Sequence, residues 1–335
     1  MIKAAIFNNH PGQFDYVFQN GRLERLRQLT VLYPEIIADS NFSDHASRLK
    51  DVEVIFSTWG MPVLNEQQIA QLPNLKALFY AAGSVKMFGQ PYLTRGVRVF
   101  SAWHANAIAV AEFAVSQILL SCKCYFQNSR ACRNPAMRHR GMAHLPAGLG
   151  GYGETVALIG CGMVARNVIK MLKKISDLKI LVVDGYLSDT EVRGIGAEKV
   201  TLEDAFKRAY IVSNHLPDIP STERMIRGEH FMSMRPGATF INTGRGRQVA
   251  ENEMIEVLEK RMDLTALLDV TFPEPPAAES KLYILNNVFL SSHIAGSTGN
   301  EVVRMADAML NEFERWRDGL PPTCEIVLNM LERIA

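Results

Sequence analysis

Short apolar runs alternating with longer amphipathic stretches, from one end of the chain to the other, leave few folds open. Residues 2–7 (IKAAIF), 52–56 (VEVIF), 75–81 (LKALFYA) and 97–100 (VRVF) read as buried strands. Between them, 15–29 and 65–72 space their apolar residues as helices do. A second series starts at 155–160 (TVALIG) and continues through 179–183, 210–213, 238–241, 264–268 and 287–290. Strands apolar on both sides and separated by helices predict an α/β fold, with parallel sheets covered by helices on both faces. A chain of 335 residues exceeds what one hydrophobic core usually organises, so two domains are expected.

Residues 104–124 are rich in Ala, Ile, Val and Leu and apolar on most sides, which predicts a long buried helix. An Arg-, Gly- and His-rich loop follows at 130–153. The last helix, 298–318, carries Val302, Ala306, Met309, Phe313 and Trp316 on one stripe that must pack on something. The second strand series already makes a complete doubly wound sheet, so this helix is assigned to the first domain. The chain then crosses twice: 1–103 with 296–335 form one domain, and 104–295 the other.

Composition narrows the function classes. A net charge of +1 gives no bulk electrostatic reason to expect nucleic acid or an anionic membrane as partner. Five cysteines, an odd number in a chain this long, suggest free thiols in a reducing compartment. Cys122 and Cys124 face different sides of a helix with no second pair to complete a zinc set, so no metal is expected. The first residues turn polar too soon for a secretory leader, and no uncharged apolar run reaches the ~18 residues that span a bilayer. A cytoplasmic protein is expected.

The strand at 155–160 runs directly into Gly160-Cys161-Gly162-Met163-Val164-Ala165, followed by helical spacing. This is G-x-G-x-x-A in its strand–turn–helix setting. Gly160 permits the turn, Gly162 lets the backbone approach a pyrophosphate, and Ala165 lets the helix sit close to the strand. The helix N–H groups then favour phosphate charge. A chance glycine turn gives the same letters. Asp184 decides for a dinucleotide: it ends the next strand, KILVVD, where a carboxylate accepts from the two ribose hydroxyls. With no Arg immediately after it to meet a 2′-phosphate, NAD is expected rather than NADP.

Three further strand ends carry polar groups: ATFINTGRGRQV (238–249), ALLDVTFPEP (266–275) and VFLSSHIAGST (288–298). In an open parallel sheet this edge is where ligands bind. Singly, Arg245 is also explained as a surface ion pair, Glu274 as a solvated acid and His293 as a satisfied histidine before a helix. Together they are the parts that keto-acid reduction requires. A guanidinium holds a carboxylate and polarises the adjacent carbonyl. An imidazole exchanges a proton with the alkoxide, and a carboxylate beside it orients the ring and favours its charged form.

In GCGMVA, LPDIPSTERMI, MRPGATFINTGRG, LLDVTFPEP and SSHIAGST, in that order, the stretch 155–298 resembles the D-isomer-specific 2-hydroxyacid dehydrogenase family, which includes phosphoglycerate, glycerate and D-lactate dehydrogenases. ANAIAVAE at 105–112 resembles that family's passage into its cofactor domain. The resemblance implies a Rossmann-type NAD domain inserted into a flavodoxin-like substrate domain. It implies Arg245 for the substrate carboxylate and carbonyl, His293 as acid/base and Glu274 as its partner. It also implies Asp269 near the nicotinamide, and cofactor contacts from Gly160, Gly162, Met163, Val164, Asp184, Leu216, Thr243, Gly244 and Gly296. The substrate loop is Ala82-Gly83-Ser84, whose N–H groups cradle a carboxylate.

Departures from the family pattern bear on the substrate. Val85-Lys86 stands where family members often carry Asp or Asn, and the segment between Glu274 and His293 is short. Trp59 and Trp103 are explained equally well as pocket walls or as core, and Lys86 and the histidine-bearing loop at 138–144 are further candidates to shape the pocket. The expectation is an NAD-dependent homodimeric enzyme whose domains close over a small keto acid. A corepressor-like dinucleotide sensor and a formate-dehydrogenase-like enzyme are the alternatives, although the latter calls for an amide where Glu274 stands.

Overall fold

Side-chain alternation along the strands of the first sheet divides their residues between two cores, one on each face. The structure, a computed structural model, describes residues 1–137 and 150–331. The expected 138–144 loop lies outside the described residues. The chain forms two units, Met1–Asn106 with the segment from Ser297 onward, and Ala107–Gly296.

In the first unit β1 (Lys3–Ile6), β2 (Val31–Leu32), β3 (Val54–Ser57), β4 (Ala77–Tyr80) and β5 (Arg98–Ser101) lie in the order β5-β4-β3-β1-β2, all parallel. A short antiparallel strand, Glu325–Ile326, completes the β5 edge. Ala5, Ile55, Leu78 and Val99 enter one core with Phe42, Leu64 and Tyr92. Ala4, Val54, Phe56, Phe79 and Phe100 enter the other with Phe14, Leu26, Met309 and Phe313. The parallel register sets Phe56, Phe79 and Phe100 side by side, and their rings stack at 5.1 and 4.8 Å. Helix Val303–Arg317 lays Phe313 and Trp316 edge-on against Phe79, so the apolar stripe read from the sequence packs on this sheet. Each such buried ring contributes about 1.5–3 kcal/mol of transfer free energy.

Local chemistry sets the element ends. The stretch read as one helix over 15–29 is two, Pro11–Val17 and Arg22–Leu29. Asn20 and Gly21 break it with φ of 56° and 84°, a left-handed pair that Asn and Gly tolerate best. The 65–72 helix shrinks to Glu66–Ile69, started by a capping box between Asn65 and Gln68.

In the second unit β6 (Thr155–Ile159), β7 (Lys179–Val183), β8 (Glu198–Lys199), β9 (Ile211–Asn214), β10 (Thr239–Asn242), β11 (Thr265–Leu268) and β12 (Val288–Leu290) form one parallel sheet. Its order is β12-β11-β10-β9-β6-β7-β8. Reversal of strand order between β6 and β9 opens a crevice at the carboxyl ends, the place where such sheets bind ligands. Helix Trp103–Cys122 is long and apolar enough to cross a membrane, yet Ala111, Ala114, Val115 and Ile118 belong to this unit's core. It is not buried all round as its composition suggests, because Glu112, Ser116 and Leu120 face solvent.

Candidate functional site

The site residues expected in the second unit fall at the carboxyl edge of its sheet, in the loops that follow or, for Met163 and Val164, in the first turn of the helix after β6. After β6, Gly160 takes φ +87°, and a Cβ there would stand 2.8 Å from the His215 carbonyl oxygen. Only glycine fits that turn. Gly162 precedes helix Met163–Ile175, which has no side-chain cap, and a Cβ at Gly162 would meet nothing within 4 Å. Ala165 is fully buried. Open space over uncapped N–H groups at the positive end of a 13-residue helix suits a pyrophosphate.

Asp184 follows β7 and is already engaged. Its carboxylate accepts from the N–H of Cys161 at 2.9 Å and from those of Tyr186 and Leu187 at 2.8 and 2.9 Å. The acid thus ties the glycine loop to its own strand end, and the remaining lone pair of its Oδ2 is available to a ribose hydroxyl.

Beyond β9, the His215 ring pairs with Ser213 Oγ at 2.9 Å and Thr243 Oγ1 at 3.3 Å. Burial pushes this imidazole down to about 4. Its ring resonances should therefore stay still between about pH 5 and 8 in an NMR titration, and a midpoint inside that window would refute the assignment. Because the unfolded chain binds this proton near 6.5 and the folded one only near 4, the group withdraws stability as pH falls through that interval.

Arg245 stands after β10, half-buried, with one Nη1–H donated to the Gly244 carbonyl at 2.8 Å. Its other guanidinium donors make no hydrogen bond among the described residues. Gly246 then runs against the loop after β11 so closely that a Cβ would overlap the Thr271 backbone. That approach explains the glycine after the arginine and brings the Arg245 and Glu274 loops together. Phe272 N–H donates to Glu251 Oε2 at 3.0 Å, and Arg247 covers the Phe272 ring at 4.8 Å.

The Glu274 carboxylate meets His293 Nδ1 at 2.6 Å, with both side chains between two-fifths and half exposed. His293 itself has φ +58°, a conformation rare for a residue with a Cβ. Asp269 explains how it is held. This buried carboxylate accepts from Ser291 Oγ at 2.6 Å and from the N–H groups of Ile294 and Ala295 at 2.9 Å each. Its main-chain carbonyl accepts from the His293 N–H, also at 2.9 Å. The acid expected near the nicotinamide is spent on the loop that carries the histidine.

In the first unit, the Ala82-Gly83-Ser84 loop follows β4. Thr58 Oγ1 donates to the Ala81 carbonyl at 2.8 Å, and Ser101 Oγ donates to the carbonyls of Ala82, at 2.9 Å, and of Gly83. With its carbonyls drawn back, the loop leaves the N–H groups of Gly83, Ser84 and Val85 without a hydrogen bond among the described residues. N–H groups left free in this way can accommodate an anion. Thr58 and Ser101 were not anticipated from the sequence, where each is one more hydroxyl at a strand end. Trp59 and Trp103 are half-buried against the cores of this unit, and Lys86 is exposed.

An uncapped helix over a glycine turn, an arginine with free donors and an imidazole–carboxylate pair can hold a dinucleotide, bind a carboxylate and move a proton. Among the described residues no cluster of metal-ligating side chains occurs. The sequence profile of the D-isomer specific 2-hydroxyacid dehydrogenase NAD binding domain matches residues 116–295. A D-3-phosphoglycerate dehydrogenase of Synechocystis is 27% identical over 259 residues, which are 77% of this chain and 46% of that protein. The chain thus spans less than half of that relative's length. A glyoxylate reductase of Pyrococcus furiosus is 25% identical over 281 residues, 82% of this chain and 83% of the reductase. The crystal structure of apo D-mandelate dehydrogenase from Rhodotorula graminis superposes with a TM-score of 0.79 at 22% identity, covering 97% of this chain and 98% of that one, and shares the fold.

Proposed function

Because the chain belongs to the D-isomer specific 2-hydroxyacid dehydrogenase family, we propose that it is an NAD-dependent oxidoreductase interconverting a D-2-hydroxy acid and its 2-keto acid. The observation that carries this is the 2.6 Å His293–Glu274 pair at the same sheet edge as Arg245, in the unit with the dinucleotide loop. Bound NAD(H) supplies or accepts the hydride. Arg245 offers its unused guanidinium donors to the substrate carboxylate and carbonyl oxygens, polarising the carbonyl. In reduction, protonated His293 releases the Nε2 proton to the carbonyl oxygen, and Glu274 keeps hold of the Nδ1 proton. In oxidation the neutral ring takes the hydroxyl proton back. One hydride and one proton thus balance each turnover.

NADH oxidation across 2-keto acids, from glyoxylate, pyruvate and hydroxypyruvate to branched and aromatic acids, tests the proposal. Turnover confined to one size class supports it and defines the pocket. Tight NADH binding with no turnover on any acid would replace it with a dinucleotide-sensing role.

Asp184 supplies the cofactor prediction. Asp184→Ala should weaken NADH, because the Cys161 N–H loses its partner, and should narrow the preference for NADH over NADPH. If the ratio of the two kcat/KM values stays put in this variant, the ribose assignment is wrong.

A further inference from the structure

Three side-chain amides lie fully buried beneath the cofactor edge of the second sheet: Asn214 at the end of β9, Asn242 at the end of β10, and Gln248 six residues later. Buried amides are costly unless every donor and acceptor is matched. Here they are. Gln248 Nε2 donates to the carbonyls of Leu216 and Pro217, both at 2.8 Å. Its Oε1 accepts from Asn214 Nδ2 at 2.6 Å and from the main-chain N–H of Arg245 at 3.0 Å. Two carbonyls at one end and two N–H groups at the other fix which end of the amide is nitrogen. Asn214 also donates to Asn242 Oδ1 at 2.9 Å and accepts from the Leu216 N–H at 3.2 Å, while Asn242 Oδ1 accepts from the Gly244 N–H at 3.1 Å.

We propose that Gln248 is a positioning residue for the reaction, setting the main chain of Arg245 and bracing it to the 214–217 segment. This rests on the function proposed above. An independent observation supports it: a Cβ on Gly244 would lie 2.6 Å from Gln248 Oε1 and 2.9 Å from Asn214 Nδ2. The glycine before the arginine is thus shaped to sit on this amide. The two restrained segments differ in what remains when Gln248 is removed. Leu216 keeps the bond from its N–H to Asn214 and Pro217 keeps Thr222 Oγ1 on its carbonyl at 2.7 Å, whereas the Arg245 N–H has no other acceptor among the described residues and the Arg245 carbonyl keeps only the longer bonds from Asn242 Nδ2 at 3.4 Å and the Gln248 N–H at 3.3 Å. Losing the amide should therefore disturb the arginine more than the 214–217 segment.

The test compares Gln248→Met, which keeps the volume, with the full-length wild type. KM for the best keto acid should rise about tenfold, the cost of leaving buried groups unpaired. NADH affinity, read by fluorescence titration, should fall no more than about threefold, the melting transition remaining cooperative. In an Arg245→Lys background, which has no fork to aim, the same change should have little further effect on kcat/KM. Gln248→Glu provides a second route if the Met variant does not fold, since it retains the oxygen that accepts from Arg245. Its new carboxylate oxygen faces the Leu216 and Pro217 carbonyls, so activity relative to wild type should recover as pH falls and that oxygen is protonated. A folded Met variant with KM within twofold of wild type, losses that multiply in the Arg245→Lys background, or a Glu variant with no such pH recovery would each overturn the proposal. If the wild type itself turns over no keto acid while binding NADH, the functional proposal fails and takes this one with it.

Discussion

His293→Ala should lower turnover of the keto acid by about 10²- to 10⁴-fold while leaving NADH affinity unchanged, the range expected when a general acid–base group is removed. The imidazole is placed for this and for little else. It is half-exposed, touches Glu274 through Nδ1, and leaves Nε2 without a hydrogen bond among the described residues. Its truncation opens no cavity, so a large loss of activity has no competing explanation in lost stability. Glu274→Gln isolates the pair. A carboxamide still reaches Nδ1 but carries no charge to balance an imidazolium, so kcat should fall, though by less than in the alanine variant. Steady-state kinetics and NADH fluorescence titration on the same preparations separate the two effects. Unchanged turnover in His293→Ala would remove the mechanism, whatever the family of the chain.

The functional candidates that were legible in the sequence share one property: each lies one to six residues past the end of a parallel strand. Gly160, Asp184, Arg245, Glu274 and His293 stand out because a parallel strand has no other reason to be followed by them. The parts that were not legible depend on contacts between segments far apart in the chain. Thr58 and Ser101 draw back the carbonyls of residues 81–83 from two different neighbouring strands, and nothing in their local pattern marks them. Asn214 and Gln248 are separated by 34 positions, and a glutamine after Arg-Gly-Arg reads as a surface residue until the fold buries it. Elements were missed for a related reason. Strands of two residues, such as Val31–Leu32, Glu198–Lys199 and Glu325–Ile326, are too short to show a period.

The structure gives Asp269 a role that the resemblance does not imply, and the two roles predict opposite measurements. Resemblance places this acid near the nicotinamide, so its loss would act on cofactor affinity. The geometry gives both carboxylate oxygens to the 291–295 loop: Ser291 hydroxyl and Ile294 N–H on one, Ala295 N–H on the other. Between those anchors His293 is held at φ +58°, a conformation costing about 1 kcal/mol or more that the surrounding bonds must offset. Asp269→Asn keeps the size but turns one acceptor into an NH₂ facing N–H or O–H donors. The loop should relax from its left-handed turn, and the imidazole should leave Glu274. A displacement of about 1 Å is enough to cost 10²-fold in rate, so kcat should fall by about that factor or more. NADH affinity should change by no more than about twofold, because the glycine loop and Asp184 lie at the β6–β7 ends of the sheet, apart from the β11–β12 ends disturbed here. Amide exchange provides the second readout: the N–H groups of Ile294 and Ala295 should lose protection in the variant while those of the β6 strand keep theirs. A variant that loses NADH binding in step with kcat, with the 293–295 amides still protected, would return Asp269 to the cofactor and leave the left-handed histidine to be held by its main-chain bond alone.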